Sequence, residues 1–171
     1  AKGKPVAYDF RETAPTGSHP EMWLEDGEYS FQRHHMSHMS VGVPGTVAGL
    51  YMAWQDDGEL PWKRLVEPAV ALARDGIVVT HGLAASLERV LPRMRKYPAS
   101  VAQFSRNGEP YQPGDLLVQA DLADSLQRIA DGGPKGFYEG RTAELIVAEM
   151  ARGGGLITLE DLADYRPKRR E

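Results

Sequence analysis

Val41-Gly-Val-Pro-Gly-Thr-Val-Ala-Gly-Leu-Tyr-Met-Ala-Trp54 is the stretch at which the chain changes character. Before it, the residues read as strands and loops. After it, apolar residues recur at spacings of three and four, the period of one helix face. Gly42-Val-Pro-Gly45 reads as a turn feeding a helix, with Thr46 near its first turn. Val47, Leu50, Tyr51 and Trp54 form a stripe that the spacing predicts to be buried, and Gly58 stops the helix. The glycines do not make a phosphate loop, since neither Gly-Lys-Ser/Thr nor Gly-x-Gly-x-x-Gly is present.

Downstream, Pro61 suits the first turn of a second helix that carries Leu65, Val66, Ala69, Val70, Leu72 and Ala73 and ends at Gly76. Pro68 lies inside it, where a break or kink is expected. Thr80 is the expected N-cap of a helix from Gly82 to Val90, with Pro92 disturbing its end. Asn107-Gly108, between Phe104 and Tyr111, suits a hairpin turn, and Pro113-Gly114 marks another turn. Asp121 to Ala130 and Thr142 to Met150 read as amphipathic helices. Gly132-Gly133 and Gly153-Gly154-Gly155 close them, and capping accounts for both glycine runs. Thr158-Leu-Glu-Asp161 reads as a helix start, with the threonine as cap.

Upstream, Pro5 to Phe10 reads as a strand, and a loop with Pro15, Gly17, Ser18 and Pro20 follows. Tyr29 and Phe31 alternate with polar neighbours, which suits a second short strand from Glu28 to Arg33. The expected fold is therefore mainly α-helical with a short N-terminal β element. It is organised as a strand/loop segment over residues 1–40 and a helical region over residues 41–171.

The 171 residues suffice for one domain, and 42% hydrophobic with 26% charged residues is a globular composition. A net charge of −4 provides no basic field for nucleic acid or an anionic membrane. The most basic stretch, Arg166, Lys168, Arg169 and Arg170, reads as a solvated tail. The absence of cysteine excludes disulfides, thiolate metal sites and cysteine nucleophiles. No apolar run approaches the roughly 18 residues of a membrane span. The chain opens on Ala1 rather than Met, as expected of a piece cut from something longer.

Candidates for chemistry are few. His34 and His38 share the spacing of a zinc-protease helix, but His35 stands where that motif needs glutamate. A surface loop is the expected reading of these histidines, and no metal site or cofactor is expected. No serine or threonine sits in a Gly-x-Ser-x-Gly or Ser-x-x-Lys context. Arg11 at the end of the first strand could clamp a carboxylate through two parallel hydrogen bonds, or form a structural ion pair with Asp9 or Glu12. Composition and spacing leave a soluble, mainly helical domain without an assigned function.

The order of segments adds more. Asp9-Phe-Arg-Glu-Thr-Ala-Pro15 resembles the Arg-Glu-x-Ala-Pro segment of γ-glutamyltranspeptidases, and Val41 to Gly49 resembles that family's next signature. Gly58-Glu-Leu-Pro-Trp62, Glu67 to Ala73, Asp75-Gly76 and Gly114 to Gln119 follow in the family's order. So do Leu122 to Leu126, Gly136-Phe-Tyr-Glu-Gly140 and Gly154 to Leu162. The resemblance implies part of an αββα N-terminal-nucleophile hydrolase, whose precursor cleaves itself to expose a threonine nucleophile on a small subunit. The implied reaction moves a γ-glutamyl group from glutathione or a related compound to water or an amino acid, through a γ-glutamyl-threonine ester. Arg11 would hold the substrate α-carboxylate, the small subunit of the same precursor would be the partner, and no catalytic residue would lie in this chain. By this reading the chain is a piece of the large subunit, inactive alone, from a protein whose bacterial relatives are often periplasmic or secreted. Two other readings are a related acylase or poly-γ-glutamate depolymerase, and a non-catalytic helical binding module. Exposed apolar surface would separate that module from a piece of a larger core.

Overall fold

The computed structural model describes residues 5–170. In chain order the elements are β1 (Ala7–Asp9), β2 (Leu24–Glu25), β3 (Glu28–Tyr29), α1 (Phe31–Met36), α2 (Thr46–Asp57), α3 (Trp62–Asp75), β4 (Ile77–Val78), α4 (His81–Met94) and α5 (Pro98–Phe104). They continue as β5 (Leu116–Leu117), α6 (Ala120–Gly132), α7 (Lys135–Tyr138), α8 (Gly140–Gly153), α9 (Leu159–Ala163) and β6 (Lys168–Arg170). Short 3-10 turns cover Pro20–Trp23 and His38–Ser40. The mainly helical expectation, with a small β component, is what the chain adopts. The strands pair antiparallel as β1 with β6, β2 with β3, and β4 with β5. Two compact units result, one from the residues up to Leu65 and from Arg128 onward, the other from Val66–Gln127.

In the first unit, Val43, Tyr138, Ala143, Met150, Ile157, Leu162 and Tyr165 form the core. Helix α8 contributes Ala143, Ile146, Val147 and Met150 at helical spacing. It ends as the glycine run predicts: Gly154 takes the left-handed conformation (φ 71°), and the Gly155 N–H returns to the Met150 carbonyl at 2.7 Å. Helix α9 begins with a capping box between Thr158 and Asp161.

Three expectations are overturned in this unit. The basic stretch is not a free tail. Lys168–Arg170 is a strand whose partners are Asp9, Tyr8 and Ala7, and acids balance its charge. Arg170 pairs with Asp9, and Arg169 lies 3.5 Å from Asp56. The strand expected over Glu28–Arg33 stops at Tyr29, because the Ser30 side chain accepts the Arg33 N–H at 3.3 Å and starts α1. The stripe on α2 is also only partly buried. Leu50 is 51% exposed, while Phe10 packs where a side chain on Gly49 would stand. The helix thus presents Val47, Ala48 and Gly49 inward. Tyr51 and Trp54 instead meet Trp62 at ring separations of 5.0 and 5.8 Å.

In the second unit, Val79, Ala84 and Leu117 make a small core covered by Leu83 and Tyr111. Gly76 stops α3 with φ 88°, as the sequence indicates. Thr80 caps α4 by accepting the Leu83 N–H at 3.2 Å. Pro92 does not end α4, which runs to Met94 with Leu87 and Leu91 buried. Pro68 likewise leaves α3 unbroken. Each proline forfeits one ladder hydrogen bond, and the apolar face holds the remainder of the helix together. Asn107 (φ 55°) and Gly108 (φ 92°) form the expected turn. It closes only the Arg106–Glu109 pair, because Phe104 belongs to α5, a helix without a sequence signal strong enough to read. Gly114 (φ 93°) completes the other turn, with the Asp115 N–H on the Gln112 carbonyl at 3.0 Å. Val78 and Leu116 are cross-strand partners in the β4–β5 ribbon, 65% and 53% exposed. Among the described residues no helix is long and apolar enough to cross a membrane.

Candidate functional site

Arg11 lies two residues beyond β1, on a backbone held from several sides. The Asp9 carboxylate accepts the Arg11 N–H at 3.3 Å, and the Tyr165 hydroxyl donates to the Arg11 carbonyl at 2.9 Å. Two residues on, Thr13 and Val43 exchange both backbone hydrogen bonds, at 3.3 and 2.8 Å. The Thr16 N–H then reaches the Asp161 carboxylate at 2.8 Å. The side chain is held far less. It is 83% exposed, and its Nε lies 3.1 Å from Glu12, itself 54% exposed. An ion pair that open to water contributes about 0–1 kcal/mol and leaves the guanidinium available to a ligand. Arg11 borders two clefts. One, of about 370 Å³, is shared with Thr13, Pro15, Trp23 and Val41. The other, of about 220 Å³, is shared with Asp9, Tyr165 and Lys168.

Behind this surface, the signature glycines make room for aromatic side chains. A Cβ on Gly45 would lie 2.0 Å from the Tyr165 hydroxyl and 2.2 Å from the Phe10 carbonyl, so only glycine fits. Gly45 therefore has no side chain with which to cap α2. The Tyr138 hydroxyl does that work: it accepts the Ala48 N–H at 3.3 Å and donates to the Pro44 carbonyl at 2.8 Å. The Tyr138 and Tyr165 rings are stacked, 5.8 Å apart and within 3° of parallel. Burial pushes the Tyr138 phenol up to about 12. Burial, together with the Asp9 and Glu12 carboxylates, raises that of Tyr165. Both hydroxyls therefore keep the hydrogen they donate at neutral pH. Burial pulls Asp161 upward, but the N–H groups of Thr16 and Thr158 and the Thr158 hydroxyl outweigh it and keep the carboxyl below its ordinary value.

The histidines belong to structured elements rather than to a surface loop. His34 and His35 lie on α1, where both rings contact the Tyr29 hydroxyl, at 2.9 and 3.1 Å. His38 turns the other way and meets Glu149 at 2.8 Å. Its ring occupies the space beside Gly153, where a Cβ would come within 2.3 Å. Packing therefore explains Gly153, and capping explains only Gly154. Among the described residues no group of three or more His, Asp or Glu side chains is placed to hold a metal.

Sequence reading singles out Arg11 but not its supports. Asp161 is legible only as a helix cap, and Tyr138 only as a member of Gly136-Phe-Tyr-Glu-Gly140. Tyr165 carries no local signal, because its partner lies 154 positions away.

The family model described as gamma-glutamyltranspeptidase matches residues 1–171. The chain is 46% identical over 169 residues to the glutathione hydrolase proenzyme of Escherichia coli (strain K12), covering 96% of this chain and 29% of that protein. The crystal structure of Helicobacter pylori gamma-glutamyltranspeptidase superposes with a TM-score of 0.96 at 40% identity, over all of this chain and 50% of that one. Gamma-glutamyltranspeptidase from Pseudomonas nitroreducens, complexed with L-DON, gives a TM-score of 0.91 at 37% identity with the same coverage. The chain thus spans less than a third of its E. coli relative's length and half of each solved chain. Its helices and short strands form part of the N-terminal-nucleophile hydrolase fold of those structures. The chain belongs to the gamma-glutamyltranspeptidase family.

Proposed function

We propose that this chain forms part of the large subunit of a γ-glutamyl transferase/hydrolase acting on glutathione and related γ-glutamyl compounds. In this reading Arg11 holds the substrate α-carboxylate. The observation that carries it is the contrast at Arg11 between an anchored backbone and a guanidinium 83% exposed beside a cleft. A planar guanidinium fits a carboxylate through two parallel hydrogen bonds, which fixes the direction of the rest of the substrate. The γ-carbonyl then faces a threonine nucleophile supplied by the small subunit of the same precursor. Attack gives a γ-glutamyl ester and releases the amine, and water or an amino acid then resolves the ester. Produced alone, this chain is inactive.

The clamp favours substrates with a free α-carboxylate, and so a γ-glutamyl donor over the substrates of a related acylase. The test is Arg11→Ala in the complete precursor, assayed on a chromogenic γ-glutamyl anilide. Loss of a charged bidentate contact is expected to lower kcat/KM by about 2–4 kcal/mol in transition-state terms. An unchanged kcat/KM removes Arg11 from the site.

A further inference from the structure

We infer that Tyr165 is a positioning residue for Arg11, setting the place of the substrate clamp through its backbone. The inference rests on the reading of Arg11 given above. A long side chain with several free torsions and one exposed partner cannot fix its own head group. Its precision must come from where the Cα is held. Both backbone polar groups of Arg11 are taken by side chains: the N–H by Asp9 at 3.3 Å and the carbonyl by Tyr165 at 2.9 Å. Asp9 is fixed in turn by Arg170 across the β1–β6 ladder, with Nε at 2.7 Å.

Tyr165 is built for this role. It is 6% exposed, and its ring lies stacked on Tyr138, whose hydroxyl is itself committed at the start of α2. The absence of a side chain on Gly45 leaves the phenol oxygen its place, 2.0 Å from where a Cβ would stand. A phenol so enclosed can hardly shift, so the carbonyl that it holds hardly shifts either. Phenylalanine at this position would keep the stacking and lose only the bond to Arg11. The Arg11 carbonyl would then pair with water, since its residue lies at the surface, and the loop would gain freedom without unfolding.

The test uses the complete, matured enzyme and two chromogenic anilides, one with the γ-glutamyl α-carboxylate and one lacking it. Tyr165→Phe is expected to raise KM for the first by about three- to tenfold, the scale of one neutral hydrogen bond. It should leave kcat within about twofold and spare the second substrate. In an Arg11→Ala background the same substitution should add nothing, because both act on one contact. Asp9→Ala, which frees the other end of the Arg11 peptide, is expected to give the same selective rise and serves if the phenylalanine variant does not mature. A Tyr165→Phe effect that is equal on both substrates, or that adds fully to Arg11→Ala, overturns the positioning role. So does an unchanged KM where Arg11→Ala raises it. An Arg11→Ala variant with unchanged KM instead overturns the clamp itself.

Discussion

Arg170 grips Asp9 from the opposite strand, its Nη2 2.6 Å and its Nε 2.7 Å from Asp9 Oδ2. The Arg170 guanidinium, with the Arg11 N–H second, holds the Asp9 carboxyl below its ordinary value. A depressed carboxyl contributes stability above its unfolded-state value and loses it as pH falls through the folded one. Arg170→Ala should therefore move the Asp9 titration up toward the ordinary carboxylate range, followed by carbon-13 carboxyl NMR. An unmoved titration would show that the pair does not form in solution.

Asp161 joins two segments that are far apart in sequence, since one carboxylate accepts Thr16 and Thr158. Asp161→Ala is expected to cost about 2–4 kcal/mol in urea unfolding at neutral pH, the sum of a lost cap and a lost hydrogen bond to a charge. Because the folded carboxyl is depressed, the gap between wild type and variant should be complete above the ordinary carboxylate value. It should narrow as pH falls through the folded value. A gap that stays constant down to pH 2 contradicts an ionised Asp161.

Gly45 and Gly82 should respond in opposite ways to alanine. At Gly45 the new methyl meets the Tyr165 hydroxyl and the Phe10 carbonyl, and neither can retreat, so a loss of about 3 kcal/mol or more is expected. At Gly82, in the first turn of α4, nothing lies within 4 Å, and a gain of up to about 1 kcal/mol is expected. Thermal unfolding of the two variants side by side decides the matter. Equal effects would show that the crowding at Gly45 is not real.

Gly153→Ala should destabilise through one identifiable neighbour, the His38 ring held by Glu149. The expected loss is about 1–3 kcal/mol in the wild type, and most of it should vanish in a His38→Ala background. A double-mutant cycle on unfolding free energy measures that coupling. Additive losses would mean that Gly153 is needed for its backbone and not for the space beside it.

Where the determinants are local, the sequence is readable. Helix α8, its left-handed Gly154, the Thr158 capping box and the turns at Gly108 and Gly114 all follow from residues within a few positions of one another. Where partners are distant, it is not. Lys168–Arg170 looks like a charged tail until Asp9 and Asp56 are placed beside it. Tyr29 and Phe31 alternate like strand residues, yet the Ser30 hydroxyl offers the chain a helix start between them. Leu50 fits the apolar period, but Phe10 takes the buried side of α2 at Gly49. The site divides in the same way. Arg11 is found through its motif neighbours, whereas Tyr165 and Tyr138 act through backbone atoms that no periodicity describes.

The β1–β6 ladder also sets a schedule. Asp9 and Arg170 are 161 positions apart, and a ribosome adding about 5–20 residues per second takes roughly 8–32 s to make the interval. Throughout that time β1 has left the tunnel without its antiparallel partner, while α2 and the second unit can already pack from local contacts. The strand that leads into Arg11 thus stays unpaired until the 161-residue interval to its partner has been made. Slowing synthesis over residues 10–167 lengthens the period in which that edge is open to mispairing, and faster synthesis shortens it.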